Sequence, residues 1–327
     1  MIISRTPYRI SLFGGGTDYP SYYLKYGGEV LSSTINKYVF VTCRHLPNFF
    51  NQNIRISYSK VELQNDPKKI KHPTVKSVLS YMGIKNNIEI HYDGDLPGKS
   101  GVGSSSAFTV GLLNSISVYK NKIINKKKFD LGIKAIHIEQ KLNKENVGSQ
   151  DQIAVAVGGF NNINFNKQGI ISIKKIELNK KFKKKLNNNL LLFSTGKFRV
   201  ANEITKIYEK KLVKNYIFLE EIKKITSEAK KILLYDNKNI NTIGYLLDES
   251  WKLKKSLSKN ISNKFIDDLY SVGIKAGATG GKLLGAGGGG FLLFYVPGNK
   301  KKILKDLKHL VHVPFLFENE GTKIIYT

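Results

Sequence analysis

The stretch Pro97-Gly98-Lys99-Ser100-Gly101-Val102-Gly103-Ser104-Ser105-Ser106-Ala107 separates two segments of different period. Before it, Ile88, Ile90 and Tyr92 alternate with polar residues, as a half-buried strand does. After it, Ala107, Phe108, Val110, Leu112, Leu113 and Ile116 form a broad apolar helical face, preceded by serines able to cap it. A strand, a glycine-rich turn and a helix N-terminus in succession suit an anion. Gly98, Gly101 and Gly103 permit close backbone approach, and Ser104, Ser105 and Ser106 offer N–H and hydroxyl groups where the helix dipole favours negative charge. A phosphate fits there. The segment is not a Walker A loop: Gly98-Lys99-Ser100 would need a glycine five residues before Gly98, and Asp93 holds that position.

Outward from this loop, residues 38–46 and 54–58 read as strands, and a second helix is expected over 129–142. The Lys/Asn-rich stretch 174–189 is the best candidate boundary, followed by an apolar strand at 190–193. Helical segments follow around 216–235, 243–257 and 264–272, then a glycine-rich loop, a strand, a helix near 300–310 and extended terminal segments. With no internal repeat and no Pro- or Ser-rich linker, this predicts α+β architecture in both halves. The length, 327 residues, suits about two domains. A hydrophobic fraction of 41% with 11% aromatics excludes a disordered or collagen-like chain. The single cysteine, Cys43, excludes an intramolecular disulfide and a thiolate-rich metal site, which suits a reducing compartment. The N-terminal residues lack a signal-peptide pattern and no apolar run reaches membrane-spanning length, so a cytoplasmic protein without a membrane partner is expected.

The formal charge of +28 predicts attraction to something anionic: nucleic acid, a membrane surface or phosphorylated small molecules. Only five of the 53 cationic residues are arginine (Arg5, Arg9, Arg44, Arg55, Arg199). Base-reading surfaces lean on arginine's bidentate fork, and the lysine tracts here are interleaved with Asn and Ile rather than with aromatics that could stack on bases. No nucleic-acid partner is therefore expected, and a basic RNA-binding protein is the rival reading. His309 and His312 are spaced to share a helix face but have no third ligand nearby, so they read as surface histidines.

Two further loops carry chemistry. Gly280-Gly-Lys-Leu-Leu-Gly285-Ala-Gly287-Gly288-Gly-Gly290 precedes the apolar run Phe291-Leu-Leu-Phe-Tyr-Val296. Dinucleotide-binding glycines instead follow a strand and open a helix, so backbone packing against another ligand explains this loop better. In Arg9-Ile-Ser-Leu-Phe-Gly-Gly15-Gly16-Thr17-Asp18, an arginine and a carboxylate flank a bend of glycines that leaves space.

These three segments, in this order, resemble the GHMP kinases, the superfamily of galactokinase, homoserine kinase and mevalonate kinase. The resemblance spans the chain. It implies a two-domain GHMP kinase fold: an N-terminal domain like part of a ribosomal S5 protein (residues 1–185), a ferredoxin-like C-terminal domain (186–327), and an active site between them. It also implies ATP and Mg²⁺, with the segment from Pro97 to Ala107 at the nucleotide phosphates and Ser106 and Glu139 as protein ligands of the ion. Asp151 would accept or orient the proton of the attacking hydroxyl, Arg9 would pair with Asp151 and stabilise developing negative charge, and Asp18 would bind sugar hydroxyls. Galactokinase-like proteins carry Glu-His where this chain has Gly15-Gly16, so the pocket should be larger. Gly14-Gly-Gly-Thr-Asp-Tyr-Pro20, with Thr195-Gly-Lys-Phe-Arg-Val-Ala201, is most similar to the D-glycero-D-manno-heptose 7-phosphate kinases, which make the 1,7-bisphosphate on the route to GDP-heptose for surface polysaccharides. That implies a phosphorylated sugar substrate, with Lys197 and Arg199, or Arg44, as cations for its phosphate and Gly285, Gly287 and Gly288 at the substrate. Fucokinase-like and galactokinase-like enzymes are the nearest alternatives.

Overall fold

Two long strands, β1 (Ile2–Phe13) and β2 (Gly28–His45), pair antiparallel and carry the first sheet. The computed structural model describes residues 1–121, 127–197, 215–235 and 239–327. β2 is long enough for two more neighbours: its first half pairs with β6 (Phe160–Phe165) and its second with β5 (Ile88–Gly94). β3 (Ile54–Ser57) joins β5 in parallel, β4 (Val61–Gln64) joins β3, and β7 (Ile171–Lys175) extends β6. β12 (Lys323–Tyr326) returns from the end of the chain to pair with β1. Period-two burial is plain in β3, where Ile54 and Ile56 face the core and Arg55 and Ser57 do not.

Helices α3 (Ser104–Asn121) and α5 (Gln150–Val157) pack on β1 and β2, joined by α1 (Pro20–Tyr26), α2 (Pro73–Met82) and α4 (Lys128–His137). A second, antiparallel sheet runs β11 (Val311–His312), β8 (Leu190–Ser194), β10 (Phe291–Tyr295), β9 (Gly280–Leu283) in spatial order. Every residue of β10 is buried, which is why its sequence is continuously apolar rather than alternating. Of the helices beside this sheet, α7 (Tyr216–Tyr235) packs on α8 (Thr242–Ser256) and on β2, and α8 lies against β9. α9 (Lys264–Lys275) and α10 (Lys301–Asp306) complete the layer. One core cluster reaches from Tyr8, Leu31 and Leu113 to Leu192, Leu293 and Tyr295, so the two sheets share it; a second surrounds Trp251, Phe193 and Phe294. The expected α+β class is observed. Among the described residues no helix is long and apolar enough to cross a membrane.

Three expectations change in detail. Most of the Lys/Asn-rich stretch folds as helix α6 (Lys180–Asn189): Asn179 caps it by accepting the Phe182 N–H at 2.8 Å, and Phe182 and Leu186, one turn apart, bury its inner face. The helix near 300–310 stops at Asp306, because the chain must turn to bring β11 alongside β8. His309 and His312 therefore do not share a helix face: His309 lies in the turn, and His312 sits in β11, 5.3 Å ring to ring from Phe193. The helix expected over 129–142 is α4 followed by a π-helical turn, Ile138–Leu142.

Candidate active site

A cavity of about 490 Å³ opens where loops from both sheets converge. Its walls include Gly15, Gly16 and Asp18 after β1, the serine loop before α3, the segment after the π turn, and the glycine loop between β9 and β10. The two glycine-rich loops meet backbone to backbone: a Cβ on Gly285 would lie 2.4 Å from the Gly101 Cα, and one on Gly101 would lie 2.5 Å from the Leu284 carbonyl oxygen. Both glycines have positive φ, +74° and +84°, so conformation and space alike exclude a side chain.

β1 carries Arg9 to the cavity floor. Its Nε donates to Asp151 Oδ1 at 2.8 Å and its Nη2 to Asp151 Oδ2 at 2.6 Å, a bidentate pair across 142 residues. The remaining Nη1 donates to the Gly101 carbonyl at 2.6 Å, tying the carboxylate to the serine loop. Asp151 is in the first turn of α5 and remains partly open to the cavity, whereas Arg9 is buried. A locked, half-accessible carboxylate can take or orient a proton.

Glu139 lies in the π turn, a rearrangement that occurs often at functional positions. The residue is fully buried, and its Oε2 accepts from Ser106 Oγ at 3.0 Å and from Gln152 Nε2 at 2.5 Å. Its Oε1 is buried with no hydrogen-bond partner among the described residues. Burial, with Glu145 adding, pushes its carboxyl up to about 8. Asp18 is also buried; its Oδ1 accepts the Gly16 N–H at 3.0 Å, and a Cβ on Gly148 would lie 1.8 Å from its Oδ2. Burial and the nearby Asp151 raise its carboxyl above the usual range.

Arg9, Gly15, Gly16, Asp18, Gly101, Gly103, Ser104, Ser105, Ser106, Glu139, Asp151, Gly285 and Gly287, all anticipated from sequence, thus line one cavity. Others stand back. Thr17 spends its hydroxyl on the Gly14 and Glu29 carbonyls, Ala107 is buried in α3, and Pro97, Gly98 and Gly288 are not part of the lining. Nor is Lys197, whose ammonium sits 4.0 Å from the centre of the Phe265 ring. Arg44 is committed to Glu89 at 2.5 Å, also outside the lining. Arg199 lies outside the described residues. Sequence reasoning missed Glu145, Gln150, Lys254 and Lys282, which also face the cavity. Signals existed for the two lysines: Lys254 continues the buried face of Leu247 and Trp251 at helical spacing, and Lys282 opens the glycine-rich segment.

Known proteins similar to this chain are kinases. Residues 69–159 match the family described as the GHMP kinases N terminal domain. The chain is 30% identical over 336 residues to the D-glycero-alpha-D-manno-heptose 7-phosphate kinase of Campylobacter jejuni, covering 98% of both chains. It is 26% identical over 322 residues to the bifunctional fucokinase/GDP-fucose pyrophosphorylase of Arabidopsis thaliana, covering 90% of this chain and 30% of that one. In fold it superposes with a TM-score of 0.79, at 24% identity and complete coverage of both chains, on the crystal structure of a D-glycero-D-manno-heptose 1-phosphate kinase from Bacteriodes thetaiotaomicron. With the loops, the Arg9–Asp151 pair and the buried Glu139 in one cavity, the chain belongs to the GHMP kinases and is an ATP-dependent phosphotransferase with an alcohol group as acceptor.

Proposed function

We propose that this enzyme is a sugar kinase that phosphorylates the anomeric hydroxyl of D-glycero-D-manno-heptose 7-phosphate, giving the 1,7-bisphosphate for nucleotide-activated heptose synthesis. The observation that carries this reading is the end-to-end likeness to the Campylobacter jejuni kinase. Gly15 supports it, because a Cβ there would meet nothing closer than Ser11 Oγ at 3.7 Å, leaving room beside the sugar. We take residues 1–185 and 186–327 as the two domains, with the site between them.

In this reading the serine loop and the N-terminus of α3 hold the ATP phosphates through backbone N–H groups, hydroxyls and the helix dipole. Asp151, held square by both guanidinium contacts of Arg9, accepts or orients the proton of the attacking hydroxyl; Arg9 offsets the negative charge that develops. Asp18, buried at the cavity wall with its carboxyl raised by burial and by Asp151, binds sugar hydroxyls. The donor set fits Mg²⁺: hydroxyl and carboxylate oxygens from Ser106 and Glu139, one of them a buried orphan, match a hard ion that keeps most of its ligands as water and phosphate. When bound, that ion neutralises charge on the nucleotide phosphates.

Incubation with ATP and a panel of sugars and sugar phosphates, followed by ³¹P NMR for new anomeric phosphate, tests the assignment. Turnover of heptose 7-phosphate above the others is expected. Good turnover of a free hexose with none of heptose 7-phosphate would overturn it, and fucose as best acceptor would favour the reading suggested by the Arabidopsis relative.

A further inference from the structure

Lysine is almost never fully buried without a partner of opposite charge. This chain buries two in one cavity. Lys254 on α8 and Lys282 on β9 both line it, and both are more than nine-tenths buried. Lys254 Nζ donates to the Gly285 carbonyl at 2.5 Å and Lys282 Nζ to the Leu12 carbonyl at 2.8 Å. An ammonium has three donors, so each has capacity to spare. Among the described residues neither makes an ion pair with a carboxylate, in contrast to Arg9, whose charge Asp151 matches in bidentate fashion.

We propose that the ammonium groups of Lys254 and Lys282 bind the phosphate that the acceptor sugar already carries. This rests on the reading of the acceptor as a sugar phosphate and assigns the recognition of that phosphate to residues of the second sheet and its helix. Two features place the pair at the acceptor end. Arg9, Asp18 and Asp151 are the charged groups that act on Lys254, and Lys282 is anchored to the Leu12 carbonyl of β1 just before the Gly14-Gly15-Gly16 bend. A dianion is also the partner that two adjacent buried cations lack. Burial first, then Arg9, pushes Lys254 down to about 8 against the opposing pull of Asp18 and Asp151, and burial with Lys254 and Arg9 pushes Lys282 well below the usual range, a strain that a dianion between them would relieve.

The test compares the wild type with K254M, K282M and K254R on heptose 7-phosphate and on the same heptose without its phosphate, alongside thermal unfolding of the free proteins. Each methionine variant is expected to raise KM for the sugar phosphate about 10- to 100-fold, to leave KM for ATP unchanged and to alter kcat/KM for the unphosphorylated sugar less than about threefold. K254R should recover part of the loss. The unfolding temperature of the methionine variants should equal or exceed that of the wild type, because an unmatched buried charge has been removed. A lysine that served only to brace the Gly285 or Leu12 carbonyl would lower it. Equal losses on both acceptors, a loss confined to ATP, or lowered stability with intact sugar phosphate affinity would overturn the proposal. If the wild type itself shows no preference for the phosphorylated sugar, the substrate reading falls separately. Titration of inorganic phosphate, read by ³¹P line width, then decides: weaker binding by K254M and K282M supports the lysine site, and binding equal to wild type overturns it.

Discussion

Asp151 is held by three separate constraints: two hydrogen bonds from Arg9, its place in the first turn of α5, and the anchoring of Arg9 to the Gly101 carbonyl. Removing its negative charge while keeping its shape isolates its part in the transfer. D151N should bind nucleotide with wild-type affinity and lose roughly 10²-fold or more in kcat. Calorimetric titration with a nucleotide analogue beside steady-state kinetics checks this, and a loss of nucleotide affinity instead would remove Asp151 from the acceptor. Lys254 gives a second prediction at this scale. Its folded-state pKa of about 8 lies below the ordinary 10.5, so the folded protein binds fewer protons than the unfolded chain between those values, and stability rises with pH there. Below about pH 8 the buried charge destabilises fully, and above 10.5 not at all. The excess stability of K254M over wild type should therefore be largest near pH 7 and shrink as the pH approaches 10.5. Paired denaturant titrations at several pH values measure it; a pH-independent difference would mean that packing, not charge, separates the two proteins. Composition does not single out these two among 48 lysines; the helical spacing of Lys254 with Leu247 and Trp251 and the place of Lys282 in the glycine-rich segment are the local signals, and burial in the tertiary structure makes them decisive.

At the scale of elements, periodicity located the strand before the serine loop, the helix after it and the buried strand β10; β10 is buried throughout, whereas β5 passes from buried residues at Ile88, Glu89 and Ile90 to exposed ones at Asp93 and Gly94. Periodicity could not show the π turn. The apolar spacing of α4 runs on through Ile138 and Leu142, and the extra residue in the turn is set by where Glu139 must meet Ser106 and Gln152. Nor did it show α6, whose two inward apolar residues are outnumbered by lysine and asparagine. The contact between the glycine loops is likewise tertiary, since Gly101 and Gly285 are far apart in sequence and adjacent only once both sheets are formed. It yields a prediction. G285A must place a Cβ against Gly101 and adopt φ near +74°, so it should destabilise the fold by about 1–3 kcal/mol and move the serine loop from its position. Denaturant unfolding and KM for ATP both report it: reduced stability with a raised KM is expected, and an unchanged KM would show that the phosphate end of the cavity does not depend on this contact.

Across the whole molecule, a cavity lined by Arg9, Lys99, Lys254 and Lys282 sits in a chain of formal charge +28. β12 pairs with β1 at Ile3, Ser4 and Arg5, toward the start of the strand that presents Arg9 to the site. Among the described residues most lysines do not line the cavity, but the summed field of the surface charge still acts on an approaching polyanion. With a screening length of about 10 Å at 0.1 M salt, a distributed surface charge influences encounter at low ionic strength and is silent at high ionic strength. The Arg9–Asp151 and Lys230–Glu29 pairs, each with one buried and one partly exposed partner, are screened less than surface pairs and should be little affected. Raising NaCl from about 0.05 to 0.5 M should therefore lower kcat/KM for the anionic substrates several-fold while kcat changes by less than about twofold. Stopped-flow and steady-state kinetics at fixed free Mg²⁺ distinguish the cases. A parallel fall in kcat would place the salt-sensitive charges inside the reacting site. A flat kcat/KM would leave the surface lysines as solvating groups alone.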